Sequence, residues 1–405
     1  MTESGILFWK RNLFICMIGA FATTVGLTIM LPFLPLYVNQ LGIVEQDKII
    51  RWSGIAFSVT FLSAGLVAPI WGRLGDRFGR KTMLIRASLG LSIILSLIGF
   101  ATNVYNLVLM LFLVGLAGGY GSGSTILIAV QAPQDRSGWA LGMVASGVMA
   151  GNLAGPLLGG ILAPLIGIRE TFWSAGGFIF IAFLLTLFGI KEEHKPKTKT
   201  ERKSKGIIGK QDKPVILVML ISSMFLMIAN LSIEPIITIF ISSIESNVDN
   251  ITFMSGLVLA ASALGSVLSA SVLGRIADKM GHVEVIIGGM FIAGLLIIPQ
   301  AFVTSGWELV LLRFLMGIAL GGLLPCTSVI IRQKVAVENV GSVLGYSVSA
   351  KFIGQFIGPF LGGMIGSHLG IRYVFILTTV VMFAGAILNL IFVKKTFKDV
   401  YESHE

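Results

Sequence analysis

The chain has 405 residues, of which 55% are hydrophobic and only 12% are charged, and its formal net charge is +10. A soluble domain carries roughly 25% charged residues, so this composition excludes a water-soluble protein of this length. The 49 glycines suit helices that pack backbone against backbone in a lipid bilayer.

Twelve apolar runs recur along the chain, each of about 20 residues and so long enough to cross ~30 Å of hydrocarbon as a helix. The first run follows Lys10 and Arg11, and no small-residue cleavage site closes it, so we expect a retained span and not a signal peptide. The pattern predicts an all-α membrane protein with twelve transmembrane helices. The spans are expected near 12–38, 52–71, 82–100, 106–130, 139–163, 170–190, 215–241, 252–274, 284–302, 307–330, 342–366 and 372–393.

One long polar stretch separates the sixth span from the seventh. It covers 191–213, contains nine Lys and Arg, and shows almost no apolar periodicity. The sequence therefore predicts an N-terminal six-helix bundle over 1–190, a basic cytoplasmic linker over 191–213, and a C-terminal six-helix bundle with a short cytoplasmic tail over 214–405.

Basic residues indicate the orientation, because Lys and Arg accumulate in cytoplasmic loops. The chain is therefore expected in a bacterial inner or plasma membrane, with both termini in the cytoplasm and lipid around it. The basic residues are spread over short loops and the linker, so nucleic-acid binding is not expected. In this orientation the outer loops hold only four basic residues, Lys48, Arg51, Arg169 and Arg372.

The two halves of the chain repeat one another. Pro32 and Pro235 are 203 residues apart, and the segments Gly72–Arg77 and Gly274–Lys279 are 202 apart. Six spans per half is an even number, so both halves enter the membrane from the same side, and a solute site is expected between them. Three further matches keep the spacing: Phe112–Gly115 with Phe314–Gly317, Gly155–Pro156 with Gly358–Pro359, and Gly167–Arg169 with Gly370–Arg372.

The segment Gly72–Lys81 reads G-R-L-G-D-R-F-G-R-K and is expected in the short inner loop between spans two and three. It resembles the signature loop of the major facilitator superfamily, G-x-L-x-D-R-x-G-R-K, whose fold is two parallel six-helix repeats. The resemblance implies that Asp76 contacts the eleventh helix and latches the halves, and that Arg80 pairs with an acid such as Asp135. A plain positively charged inner loop is the alternative. The other implied gating residues are Gly72, Arg77, Gly79 and Lys81.

Span five reads G-N-L-A-G-P-L-L-G-G from Gly151 to Gly160. This resembles the G-x-x-x-G-P-x-x-G-G motif of the drug:proton antiporter branch, and the chain is most similar to the multidrug exporters of that branch. The resemblance implies that Gly151, Gly155, Pro156 and Gly159 form a close-packed, kinked helix at the seam between the halves. Ordinary helix packing through small residues is the alternative.

One position departs from the antiporter pattern. The branch usually has an arginine in span four, four residues before a glycine, and this chain has Leu111 before Gly115. The arginine occurs only in the second copy, as Arg313 before Gly317. The mechanism of the branch therefore does not transfer directly.

Glu234, Arg313 and Lys351 are the ionisable residues expected well inside spans. A charge at mid-bilayer costs at least ~2.5–3.5 kcal/mol on insertion scales, so such residues usually face a cavity and serve the function. Counting along the helices places Glu234 ~10 Å and Arg313 ~9 Å from the outer end, and Lys351 ~14 Å from the inner end. The similar depths predict a Glu234–Arg313 pair in which Glu234 exchanges protons. A static structural pair is the alternative.

The walls of the cavity are less readable from the sequence. Asn230, Gln355, Tyr37 and Tyr346 are candidates by their helix positions, although packing or lipid contact is the favoured explanation for each one. An apolar wall rich in methionine and aromatic residues suits amphiphilic substrates. A monomer is expected.

Three classes of function were compared. The favoured one is proton-coupled export of drugs or other amphiphiles by alternating access, and the second is import or symport of a defined nutrient or metabolite. The span-five motif favours export. The third class is a channel or membrane enzyme. The sequence shows no set of metal ligands, no nucleophile triad and no phosphate loop, so neither catalysis nor a cofactor or metal is expected.

Overall fold

The computed structural model describes residues 3–192, 213–245, 251–335 and 337–402. Of the predicted linker 191–213, only Lys191, Glu192 and Lys213 belong to the described residues. Twelve candidate membrane spans lie in the described chain, in agreement with the predicted number.

The regular secondary structure of the described chain consists of helices joined by short turns. Several spans are longer than the sequence suggested, and four consist of two helical pieces. In the first half the helices are α1 (Glu3–Thr28), α2 (Leu34–Gln40), α3 (Gln46–Phe78), α4 (Arg80–Ile98), α5 (Val104–Ala117), α6 (Tyr120–Gln131), α7 (Ser137–Ile166) and α8 (Ile168–Gly189). In the second half they are α9 (Lys213–Leu231), α10 (Ile237–Ile244), α11 (Ile251–Met280), α12 (His282–Gln300), α13 (Gly306–Leu320), α14 (Leu323–Lys334), α15 (Val337–His368) and α16 (Ile371–Glu402).

The signature segment is not a loop, which corrects the prediction for Gly72–Lys81. Helix α3 continues to Phe78, α4 begins at Arg80, and only Gly79 turns the chain, with φ of 91°. Gly281 makes the equivalent turn in the second half, with φ of 107°. A side chain with a Cβ rarely adopts such a backbone, so glycine permits a one-residue connection here.

Four spans are broken, and the breaks follow the predicted repeat. Span one breaks between α1 and α2, where Pro32 lies, and span seven breaks at Pro235, in a 3₁₀ turn over Glu234–Ile236. Span four breaks between α5 and α6, and span ten breaks between α13 and α14. A break frees backbone hydrogen-bonding groups inside the membrane, which other groups must then satisfy.

Ring contacts in the two cores confirm the repeat. Tyr37 and Phe172 have ring centroids 5.3 Å apart, and Phe240 and Phe375, each 203 positions later, are 4.9 Å apart. The glycines of spans four and ten also correspond. A Cβ on Gly115 would lie 2.0 Å from a span-two carbonyl oxygen, and one on Gly317 would lie 2.1 Å from the equivalent oxygen in span eight.

The chain clusters into two compact units that exchange short segments. Among the described residues, the first unit contains 3–45, 55–192 and 251–260, so the start of α11 packs with the N-terminal part of the chain. The second contains 46–54, 213–245, 261–335 and 337–402, so the start of α3 packs with the C-terminal part.

Candidate functional site

A buried arginine lies near the break in span seven. Glu234 begins the 3₁₀ turn that follows α9, and Arg313 lies in α13 with only 1% of its surface exposed. The charges of Glu234 and Arg313 interact electrostatically with each other. The Nε and Nη2 atoms of Arg313 have no hydrogen-bond partner among the described residues. The structure therefore brings these two predicted residues into one neighbourhood, where their charges interact.

A third polar side chain joins this neighbourhood and was missed from the sequence. Gln300 is the last residue of α12 and is fully buried. Its Nε2 donates to the Leu296 carbonyl oxygen at 3.0 Å and approaches Sδ of Met316, one turn after Arg313, at 3.7 Å. Its Oε1 has no partner in the described part of the chain.

Lys351 lies elsewhere in the same unit. Helix α15 runs beside α9, and Cβ atoms on Gly354 and Gly362 would lie 2.4 and 2.0 Å from the carbonyl oxygens of Met224 and Ser232. Lys351 precedes Gly354 by one turn, so it is level with about residue 221, ~13 residues or ~20 Å from Glu234 at 1.5 Å per residue. The three predicted membrane charges thus form a pair and a separate cation.

The predicted lining residues differ in their placement. Tyr37 is fully buried, and its hydroxyl donates to the Ile98 carbonyl oxygen at 2.6 Å. This side chain is part of the first core, which corrects its prediction as a cavity residue. Asn230 and Gln355 are half-buried, and Tyr346 is 59% exposed.

Polar side chains also join the helices of the second bundle. The Asn389 amide donates to Ser222 at 2.7 Å, and Ser223 donates to Thr327 at 3.0 Å. Such hydrogen bonds between membrane helices usually stabilise packing. Because hydroxyls and amides are common in apolar spans, the sequence did not single these residues out.

The signature segment contains an ion pair between Asp76 and Arg80, one helical turn apart. The Asp135 side chain lies outside the described residues, so its predicted pairing with Arg80 stays a prediction. The carboxylate of Glu192, just after span six, accepts hydrogen bonds from the backbone N–H groups of Arg80 at 3.0 Å and Lys81 at 2.6 Å. Glu192 therefore caps the N-terminus of α4, where unpaired N–H groups favour a negative charge.

The three motif glycines of span five pack against span one, not at a seam with the second half. A Cβ on Gly151, Gly155 or Gly159 would lie within 3 Å of atoms in 21–29 of the first span. This corrects the placement implied by the family for the three glycines, whereas Pro156, the fourth motif residue, lies against α11. The resulting close approach of α1 and α7 explains why these positions have no side chains.

Two other close contacts between helices are formed by Pro156 of the motif and by Pro359, its counterpart in span eleven. A Cβ on Gly256 of α11 would lie 2.3 Å from the Pro156 carbonyl oxygen, and one on Gly54 of α3 would lie 2.6 Å from the Pro359 carbonyl oxygen. Span eleven thus carries a second full copy of the motif, G-Q-F-I-G-P-F-L-G-G over Gly354–Gly363, of which the sequence analysis matched only Gly358–Pro359.

Arg86 is a fourth charge and a third cation inside the spans, which corrects the expectation of three charges there. Its guanidinium lies 3.7 Å from the centroid of the Trp71 ring and donates to the carbonyl oxygens of Leu116 at 3.1 Å and Gly118 at 2.8 Å. Trp71 Nε1 also donates to Leu116, at 2.9 Å. Arg86 and Trp71 together satisfy carbonyl groups at the break in span four.

Within the described residues, no group of three or more His, Cys, Asp or Glu side chains could hold a metal ion. The arrangement places a carboxylate beside a buried guanidinium that can balance its charge.

Comparisons with known proteins agree with this architecture. The family model of the Major Facilitator Superfamily matches residues 16–255 and 217–403. The multidrug resistance protein MdtG of Enterobacter lignolyticus is 37% identical over 96% of this chain and 93% of its own length. MdtG of Dickeya zeae is 36% identical over 95% of both. These findings confirm the family resemblance inferred from the two motifs.

Solved structures agree on the fold. A bacterial homologue of the human lysosomal transporter Spinster, in an inward-facing and unoccupied conformation, has a TM-score of 0.78 at 15% identity. The match covers 97% of this chain and 98% of that protein.

Proposed function

Because this chain belongs to the major facilitator superfamily, we propose that it is a secondary active transporter that exports drugs or other amphiphilic small molecules in exchange for protons. It would act by alternating access, as a monomer in the plasma membrane of a bacterium, with both termini in the cytoplasm.

Export is supported by the relatives and by the motif. The MdtG proteins, named multidrug resistance proteins, are similar to this chain over nearly its whole length. The antiporter motif occurs in span five and again in span eleven. Both copies place a proline carbonyl against a glycine of another span, where a backbone contact can open without moving side chains.

Proton coupling is supported by one observation, which is the electrostatic interaction of Glu234 with Arg313, a guanidinium only 1% exposed inside the second bundle. With Glu234 ionised, its charge and that of the guanidinium cancel. Protonation of Glu234 leaves Arg313 uncompensated, so the two states favour different surroundings. A substrate and a proton that compete for this balance would couple their opposite movements.

The breaks in spans one, four, seven and ten support alternating access. Each break interrupts the helical hydrogen bonds and lets the two pieces of a span tilt separately. Pro32 and Pro235 fix two of these breaks, because proline lacks the N–H group that a continuous helix needs.

Drug susceptibility and vesicle transport test this function together. A panel of drugs would be applied to a pump-depleted bacterium with and without the protein, and exported drugs would then be followed in inverted vesicles with a pH dye. We expect resistance and drug-dependent loss of the proton gradient with the wild type, and neither with Glu234→Gln. Uphill, proton-consuming export by Glu234→Gln would contradict the coupling role.

A further inference from the structure

The second bundle carries three polar side chains where the first bundle is apolar. Glu234 corresponds to Leu31 by the 203-residue spacing, while Gln300 and Arg313 correspond to Ile98 and Leu111 by the 202-residue spacing of these helices. The first-bundle residues are buried hydrophobics at 3%, 0% and 0% exposure. The first bundle thus has three buried apolar side chains at the positions where the second bundle has three polar ones.

The polar atoms left without partners in the described chain are complementary. Arg313 has two donors, Nε and Nη2, without acceptors, and Gln300 has one acceptor, Oε1, without a donor. Gln300 Nε2 lies 3.7 Å from Sδ of Met316, which follows Arg313 by three residues on α13, so Gln300 packs against the part of α13 that carries Arg313. Buried polar atoms of this kind are usually bound to internal water, and this site offers several polar partners for one.

The position of Gln300 connects this site to one end of the bundle. It is followed by the short turn 301–305, which is predicted to lie outside the cell, and then by α13. Two carboxylates lie at this turn. Glu308 Oε2 accepts from the Thr304 N–H at 2.9 Å, and Glu245 Oε1 accepts from the Gly306 N–H at 2.9 Å.

Three titratable residues on the described helices around the break, Lys351, Lys213 and His368, lie away from Glu234. The break at Glu234 packs against α9, α10 and α15. On these helices Lys351 lies ~20 Å away at 1.5 Å per residue, and Lys213 lies at the opposite end of α9. His368 is exposed at the end of α15.

We propose that Gln300 and Arg313 hold internal water that carries protons from the 301–305 turn to Glu234, inside the second bundle and apart from the substrate. Each water would give one proton toward Glu234 and take one from its outer neighbour, so no net charge other than one proton moves. The guanidinium stays protonated and orients the water, as does the Gln300 carbonyl oxygen. Gln300 is therefore a positioning residue for the proposed coupling carboxylate, and this inference rests on the proposed function.

The rate at which Glu234 takes up a proton tests this route without any substrate. In proteoliposomes, an acid jump on the outer face would be followed by time-resolved infrared spectroscopy, and the carboxyl band of Glu234 would be identified by its loss in Glu234→Gln. We expect Gln300→Met, which keeps the side-chain length but removes the acceptor oxygen, to slow the appearance of the protonated-carboxyl band by at least about tenfold. Gln300→Asn should restore much of the rate, because it keeps an amide and leaves room for water.

Ile98→Met at the equivalent place in the first bundle is the matched control and should not change the rate. A merely space-filling role would make Gln300→Met faster than Gln300→Asn and would overturn the proposal, as would a wild-type rate in Gln300→Met. If instead Glu234→Gln still coupled drug and proton movement, the coupling role that the proposed function gives to Glu234 would fail. Melting temperatures of all the variants would show whether a slow rate reflects poor folding.

Discussion

Gly256 lies so close to Pro156 that a Cβ on the glycine would be 2.3 Å from the proline carbonyl oxygen. Real Cβ atoms do not approach carbonyl oxygens to this distance, so even alanine at position 256 would separate α11 from α7. We expect Gly256→Ala to cost about 1–3 kcal/mol against the state in which these helices touch. Gly54→Ala should have the same effect on the contact between α3 and the Pro359 carbonyl oxygen of α15. Export rates in vesicles would measure the effect.

Gly288→Ala supplies the control for these variants. A Cβ at Gly288 meets no atom within 4 Å, so this change should leave export near the wild-type rate. Equal export by Gly256→Ala and Gly288→Ala would show that the seam does not limit transport.

Arg86 should stabilise the broken fourth span. Arg86→Met removes the donors to Leu116 and Gly118, and leaving buried carbonyl groups without partners costs about 1–3 kcal/mol. We expect a lower melting temperature in detergent, with Arg86→Lys in between because lysine has a charge but no planar fork. An unchanged melting temperature in Arg86→Met would mean that water replaces the guanidinium at no cost.

Glu192 should protect two particular amide protons. Its carboxylate binds the N–H groups of Arg80 and Lys81, so Glu192→Ala should speed hydrogen exchange there while leaving the middle of α4 unchanged. The loss of such a cap usually costs about 0.5–2 kcal/mol. Glu192→Gln should have an intermediate effect, because the amide oxygen can still accept. Exchange measured by mass spectrometry on peptides covering 78–84 would decide, and identical exchange in Glu192→Ala and the wild type would refute the cap.

Lys351 should influence the choice of substrate but not proton coupling, because it lies ~20 Å from Glu234 at 1.5 Å per residue. Lys351→Gln removes one positive charge from the membrane-embedded part of α15. We expect affinity to shift toward cationic over anionic drugs by about fivefold, consistent with one partly solvated charge. Drug-dependent proton movement should persist. Loss of that movement in Lys351→Gln would place Lys351 in the coupling machinery.

The sequence was enough to predict the twelve spans and the twofold repeat, because apolar runs and matched motifs survive in the residues themselves. The break in span four escaped prediction, since hydropathy does not register a local change in backbone direction. The available signal was the Gly118-Gly119 pair, repeated as Gly321-Gly322. The position of the signature segment was wrong because its charges suggested a loop, whereas α3 stays helical as far as Phe78.

The candidate site was only partly predictable. Glu234 and Arg313 attracted notice as charges in apolar runs, but Gln300 is neutral and stands at the end of a span. Arg86 follows the signature segment by five residues and resembled an ordinary cytoplasmic charge. Their roles depend on which carbonyl groups and sulphur atoms lie beside them, and only the packed structure supplies that information.

The correspondence between Leu31 and Glu234 bears on ancestry and on energy use. The two bundles have kept matching hinges, ring pairs and glycine contacts, as expected of duplicated parts that must flex alike. Only one copy carries an acid at this position, and a second acid at position 31 would draw another proton into every cycle. Because Leu31 is buried and apolar, the first copy offers no second carboxylate at this position, and the proposed exchange would run through Glu234 alone.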